Sequence, residues 1–365
     1  MSSSSDHNIE AIYESVKEHY SKQQTNEANI SNSCFLAKKP HTMIQKLLPL
    51  IPEKVNETFF GCGCPIPLGI KGLTVLDLGS GSGRDVFLAS ALVGEKGKVI
   101  GVDMTLKQIE LAKSTTMEFV ENAKKANLKV GTIEFHEGLI EELDSILPSE
   151  SVDLVASNCV INLSPQKEKC LEQVYKVLKF GGEFVFSDIY SDRKLHPLAR
   201  QQLTKLGSCI GTVFYTNDFL SVCRKLGFHV REVSRVELAA SSQDLQQMIV
   251  GQAKFYSITY RLFKLKKLEM TEENYGHVVT YKGTLEGYPT IYKFDAELEF
   301  ERNLPVNVSG NVASALEESE YLRRHFSILP NDREFHFGEF ISNHKSQDAR
   351  PIEKVIFQVP TSCSK

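Results

Sequence analysis

The residues best suited to chemistry are one turn with three glycines and two acids, and a scatter of thiols. Asp77, Gly79, Ser80, Gly81 and Gly83 fall within VLDLGSGSGRD, between an apolar run and an amphipathic one. Glycines at a strand-to-helix junction let the backbone approach a ligand, and the helix N-terminus beyond them favours an anionic group. A dinucleotide turn read from Gly79 and Gly81 would place a third glycine at 84, where this chain has Arg84. Asp77, ahead of the glycines, repels a pyrophosphate but suits a ligand that carries both a cationic amino group and a carboxylate. S-Adenosylmethionine carries both. Asp103 lies 20 residues beyond Gly83 at the end of the next strand-like run, where an acid can take ribose hydroxyls. A purely structural turn with a solvated Asp103 is the plain alternative, and it has to explain the two features separately.

The eight cysteines are Cys34, Cys62, Cys64, Cys159, Cys170, Cys209, Cys223 and Cys363. No two of them form CxxC, so neither a zinc knuckle nor a thioredoxin-type pair is expected from local spacing. Cys159 follows Asn158 directly after the apolar run SVDLVA. Ligands of α/β folds sit at strand tips, so a thiol there is either filler or chemistry. Free cysteine is often simple core. Cys170 in KEKCLEQVY and Cys223 in FLSVCRKLG occupy apolar helical positions and are read as core, and Cys363 lies in the polar tail PTSCSK.

These residues need a scaffold. LTVLDLG, KVIGVDM, TIEFHEG, VDLVASN and GEFVFSDIY predict strands, separated by helical patterns such as RDVFLASALV and LKQIELAKSTTMEFVENAKKA. Strands alternating with helices of that length imply βαβ units and a parallel sheet. An amphipathic helix, IEAIYESVKEHYSK, and a polar linker precede them, with a further helix near HTMIQKLLPLI. Beyond about Arg235 the alternation ends. YGHVVTYKG, IYKFDAELEFE and EKVIFQV predict strands without crossovers. The expected fold is α/β: a doubly wound Rossmann-like sheet with a substrate module and a small C-terminal α+β domain. The expected division is residues 1–45 as helix and linker with Cys34, 46–190 as the S-adenosylmethionine-binding domain, 191–250 as substrate module and 251–365 as the C-terminal domain.

Composition excludes other classes. Lys+Arg 42 against Asp+Glu 46, a net charge of −4, leaves no basic footprint for nucleic acid. MSSSSDHNIE has no basic and apolar leader pattern, and no apolar run approaches the roughly 18 residues of a membrane span. A cytoplasmic location is the expectation, in which thiols stay reduced.

The DLGSGSGRD block resembles the methyltransferase cofactor signature. Together with NSC, FFGCGCPIP, SNCVINL, VLKFGGEFVFSDIY, SCIGTVFY and YRLFK, it is similar to the arsenite methyltransferases over roughly residues 30–265. The resemblance implies an enzyme that methylates trivalent arsenic from S-adenosylmethionine, giving mono- and dimethylated products. It maps four cysteines onto Cys34, Cys62, Cys159 and Cys209, with Cys62, Cys159 and Cys209 holding As(III). Thiolates are the soft ligands such a centre prefers. It further implies a Cys34–Cys62 disulfide made and broken in the cycle, with glutathione or thioredoxin as reductant. Phe60, Met104, Ile140, Glu141 and Asn158 join Asp77, the glycine turn and Asp103 as cofactor contacts on the same ground. Phe60 stands where many members carry tyrosine, and Cys64 is an extra thiol that could replace Cys62. Two rival readings are a methyltransferase of another small carbon, nitrogen or sulfur substrate, which would need a positioned base, and a non-enzymatic thiol protein, which would not need the cofactor turn.

Overall fold

A computed structural model of the full chain describes residues 40–59, 63–197, 212–240, 253–330, 332–341 and 353–357, and residues 9–17 except 11 and 15. Cys34, Phe60, Cys62, Cys209, Cys363 and the polar linker lie outside the described residues.

The strands are β1 (Thr74–Leu78), β2 (Lys98–Asp103), β3 (Thr132–Glu137), β4 (Val152–Asn158), β5 (Leu178–Ser191), β6 (Phe214–Tyr215), β7 (Phe228–Ala240) and β8 (Phe255–Lys264). The main sheet runs β3-β2-β1-β4-β5-β8-β7, with β6 beside β5. Strands β1 to β5 are parallel, whereas β8 is antiparallel to both β5 and β7. Helices α1 (Arg84–Val93), α2 (Leu106–Lys125), α3 (Lys167–Val177) and α4 (Thr216–Leu226) make the crossovers. The chain leaves β1 toward β2 and returns on the other side through β4. The crevice at the strand tips between β1 and β4 is therefore the switch point where ligands of such sheets bind.

Apolar strand residues alternate between the two faces. Val75, Leu154, Val185 and Phe263 pack on one side. Leu76, Val155, Phe184 and Phe186 pack on the other, with Cys170 and Cys223, both fully buried. The reading of these two cysteines as core agrees with that placement.

The division along the chain differs from the expected one. β7 and β8, assigned to the substrate module and the C-terminal domain, complete the main sheet. Their alternation of charged and apolar residues, as in FHVREV, hides a strand whose one face is partly wetted. EKVIFQV, expected in a separate domain, instead gives β14 (Glu353–Phe357), which pairs parallel with β7. IYKFDAELEFE splits into β10 (Ile291–Lys293) and β11 (Glu299–Glu301). Asp295 Oδ1 accepts from the Glu297 and Leu298 amides at 2.7 and 2.8 Å and turns the chain between them. HTMIQKLLPLI forms only a short helix, Thr42–Gln45, before a 3₁₀ turn at Leu48–Leu50, because Pro49 cannot donate to a continuing helix.

A second sheet of β9 (Val278–Tyr281), β12 (Pro305–Asn307) and β13 (Phe326–Leu329), with helix α5 (Gly310–Glu318), shares the core of Val75 and Phe87. The joint is pinned by Arg261 on β8. It donates to Glu183 through Nε at 2.7 Å and Nη2 at 2.9 Å, and to the Tyr292 and Tyr321 hydroxyls and the Phe294 carbonyl.

Candidate functional site

Gly79, Gly81 and Gly83 all have positive φ (65°, 51° and 92°), a region that favours glycine. A Cβ at Gly79 would stand 2.4 Å from a Val160 methyl carbon, and one at Gly83 would stand 2.7 Å from the Phe135 ring. Nothing approaches such a Cβ at Gly81, which faces an open cavity. Gly83 caps α1 in the left-handed conformation and supports the turn from below; it does not line that cavity.

The cavity lies against this turn. Of the expected cofactor contacts it is lined by Asp77, Gly79, Ser80, Gly81, Asp103, Met104, Ile140, Glu141 and Asn158. The structure thus gathers the tips of β1, β2 and β4 and the loop after β3 around one space. Asp103 uses both oxygens locally: the Gly81 amide donates to Oδ2 at 2.9 Å, and the Thr105 amide donates to Oδ1 at 2.8 Å. It fixes the geometry of the turn as well as facing the cavity.

Sequence reasoning missed Asp85, Gln108, Tyr13 and Val16 on the same lining. Asp85 Oδ2 accepts from Asn158 Nδ2 at 3.3 Å, while its Oδ1 has no hydrogen-bond partner and Arg84 Nη1 stands 3.8 Å away. Ser80 Oγ and Gln108 Oε1 are likewise buried without a partner. Burial pushes the Asp77, Asp85 and Asp103 carboxyls above the usual range, and for Asp77 the neighbouring Asp85 and Asp103 charges add to it. A cluster of acids held so favours a cationic ligand. A pyrophosphate would be repelled.

Cys159 sits one residue past β4 on the cavity wall, in the left-handed conformation with φ 59°. Its amide donates to the Ser187 carbonyl at 2.8 Å. The loop that follows is clamped from β5. Asn162 donates to Asp188 from its amide at 3.1 Å and from Nδ2 at 2.6 Å, and Nδ2 also donates to the Ile189 carbonyl. Burial pushes the Asp188 carboxyl up to about 6. SNCVINL and SDIY are thus two halves of one buried network. On the far side, Asn158 Nδ2 donates to the Gly63 carbonyl at 2.6 Å and ties the cysteine loop to the strand tip.

The thiols differ in state. Cys159 is disulfide-bonded, while Cys64, Cys170 and Cys223 are free. Burial pushes the Cys64 thiol up to about 12, and the Asp85 charge adds to it. Cys64 is thus held as a protonated thiol two residues from Cys62.

Comparison with known proteins decides the family. A model of the methyltransferase domain matches residues 70–261, and one of the arsenite methyltransferase C-terminal domain matches residues 274–358. The chain is 38% identical over 332 residues to an arsenite methyltransferase of Aquipseudomonas alcaligenes, across 90% of this chain and 94% of that protein. This chain belongs to the arsenite methyltransferase family. It is also 35% identical to the arsenite methyltransferase of Mus musculus over 85% of this chain and 82% of that one. A crystal structure of an arsenic(III) S-adenosylmethionine methyltransferase from Chlamydomonas reinhardtii superposes with a TM-score of 0.78 at 45% identity. It covers 83% of this chain and all (100%) of that one.

As a member of that family, the chain is an enzyme with S-adenosylmethionine as its cofactor. The residues present fit that cofactor: three raised acids and three residues with a buried oxygen lacking a hydrogen-bond partner line a cavity that a cationic amino acid end would complete. Among the described residues, no helix is long and apolar enough to cross a membrane.

Proposed function

We propose that the enzyme methylates trivalent arsenic held by the thiolates of Cys62, Cys159 and Cys209, giving mono- and dimethylated arsenicals. The observation that carries this reading is the position of Cys159, on the wall of the cofactor cavity at the tip of β4. Asn158 supports it further, since its bond to Gly63 draws the residue after Cys62 to the same strand tip.

S-Adenosylmethionine supplies an electrophilic methyl group on its sulfonium. Asp77, Asp85 and Gln108 would hold the amino acid end, Asp103 the ribose, and the loop at Ile140 and Glu141 the adenine. Three soft thiolates hold As(III) as a pyramid and leave its lone pair facing the cavity. No general base is required, because that lone pair carries no proton. The chain contributes placement, and aligning two reactants can be worth ~7–11 kcal/mol.

Transfer of the methyl would break the sulfonium S–CH3 bond, release S-adenosylhomocysteine and raise arsenic from the trivalent to the pentavalent state. Oxidation of Cys34 and Cys62 to a disulfide releases two electrons and two protons and returns the arsenic to the trivalent state. Two thiols of glutathione, or one dithiol of thioredoxin, then reduce that disulfide. The bond at Cys159 is not the Cys34–Cys62 disulfide of this cycle, and it too has to be reduced before Cys159 can hold arsenic. The test is incubation with labelled S-adenosylmethionine, arsenite and a thiol, followed by arsenic speciation. Labelled methylarsenicals that require the thiol are expected; their absence, with label on another small acceptor, overturns the reading. Cys34→Ser and Cys62→Ser should lose activity on arsenite but keep it on the monomethyl compound, which needs only two sulfurs.

A further inference from the structure

The amphipathic segment IEAIYESVKEHYSK has no part in the chemistry above, yet one of its faces reaches the cofactor cavity. Its described positions between 9 and 17 are helical, with Glu10 and Glu14 exposed and Ile9, Ile12, Tyr13 and Val16 half-buried. Tyr13 and Val16, one turn apart on that face, both line the cavity.

The helix is attached there by a chain of hydrogen bonds. Gln166 Nε2 donates to the Tyr13 hydroxyl at 3.2 Å, the Gln166 amide donates to Ser164 Oγ at 2.9 Å, and Ser164 Oγ donates to the buried Glu141 carboxylate. Burial raises the Tyr13 phenol above its ordinary range, and the Glu141 charge adds to the shift, so the ring stays neutral. The order of strand tips says which end of the cofactor lies beneath. In the reading proposed above, on which this inference rests for the cofactor alone, the acids at β1 and Cys159 at β4 would take the amino acid end and the methyl, Asp103 at β2 would take the ribose, and the loop after β3 would lie beyond. Ile140 on that loop and Leu163 after β4 give this end an apolar wall.

We infer that the N-terminal helix is a cofactor-binding element, in which Tyr13 and Val16 form the roof over the adenine and the Gln166–Ser164–Glu141 chain latches it in place. An aromatic ring beside apolar side chains suits a purine face, and loss of such a ring from under a base typically weakens binding by roughly 5- to 150-fold. The inference is independent of how the arsenic is held.

The experiment is calorimetry on the full chain with S-adenosylhomocysteine and with 5′-methylthioadenosine, which lacks the amino acid end. Tyr13→Ala should raise Kd about tenfold for both ligands, within that range. Tyr13→Phe keeps the ring and loses only the Gln166 bond, so about two- to threefold is expected. Should Tyr13→Ala not fold, Tyr13→Leu replaces it with the same tenfold expectation. Wild-type affinity for both ligands in the folded alanine or leucine variant overturns the inference. A loss confined to S-adenosylhomocysteine overturns it too, because it would place Tyr13 at the other end of the cavity.

Discussion

Two buried polar clusters of this enzyme are built on opposite principles. At the joint between β5, β8 and the C-terminal layer, Arg261 makes five hydrogen bonds, and Tyr321 donates to Glu183 at 2.8 Å, so the charges close on each other. At the glycine turn, Asp85 Oδ1, Ser80 Oγ and Gln108 Oε1 are buried without hydrogen-bond partners, and three acids crowd together. An unsatisfied buried polar group costs about 1–3 kcal/mol. A fold keeps several such groups side by side where a ligand completes them. The first cluster is finished by folding; the second is finished by the cofactor.

The contrast is broken most directly at the closed cluster. Arg261→Met leaves the Glu183 carboxylate buried with only Tyr321 beside it, and removing one partner of a buried pair costs about 3–5 kcal/mol. Urea denaturation should read that loss, while the folded fraction keeps wild-type affinity for S-adenosylhomocysteine. A loss below about 1 kcal/mol would mean that the joint is no more than a surface contact.

The open cluster should respond the other way. Asp85→Asn and Asp103→Ala should each weaken S-adenosylmethionine binding by about 1.5–3 kcal/mol, the size of a hydrogen bond to a charged group. Asp85→Asn should also leave the free protein at least as stable at neutral pH, since it removes a charge that burial disfavours. The pH dependence follows the same sign. Carboxyls raised above their unfolded values near ~3.9 bind protons first in the folded state. Their stabilisation is complete below the unfolded value and is lost as pH rises through the folded one. Asp188, up at about 6, extends this window toward neutrality. The melting temperature of the free protein should therefore rise from pH 7.5 to pH 5.5 through Asp188, and affinity for S-adenosylhomocysteine should fall as the acids of the open cluster take up protons. Parallel changes in the two quantities would contradict an open acidic cluster.

The smallest effects are expected at the buried free thiols. Cys170→Ser and Cys223→Ser place a hydroxyl in apolar surroundings, so stability should drop while turnover stays within about threefold, or roughly 0.6 kcal/mol. Loss of methylation with an intact circular dichroism spectrum would move either residue out of the core.

How much could be read from the sequence followed the range of the interactions. The strands β1 to β5 announce themselves as apolar runs, and the turn with Asp77 and Asp103 is local enough for spacing to show its chemistry. β7 and β8 escaped because their charged residues find partners only in the folded sheet, as Arg261 does with Glu183, 78 positions away. Asp85, Gln108 and Tyr13 escaped because nothing local distinguishes a buried unpaired oxygen, or a ring over a cavity, from an ordinary helix residue. Asn162 and Asp188 stood inside quoted motifs, yet their role exists only where the two segments meet. Cys64 looked like a spare thiol in sequence; in the structure burial holds its proton, and the Asp85 charge adds to the effect.

The account rests on Cys159 as an arsenic ligand beside the cofactor, and Cys159→Ser with the monomethylated arsenical tests it most directly. Serine oxygen is hard and keeps its proton, so it cannot replace a thiolate. The measurement is speciation of arsenic after incubation with S-adenosylmethionine and a thiol, together with S-adenosylhomocysteine affinity as a check on the cavity. The account predicts wild-type affinity within a few-fold and no dimethylated product. Dimethylated product at near wild-type rate would contradict it and leave the thiol at the tip of β4 as filler.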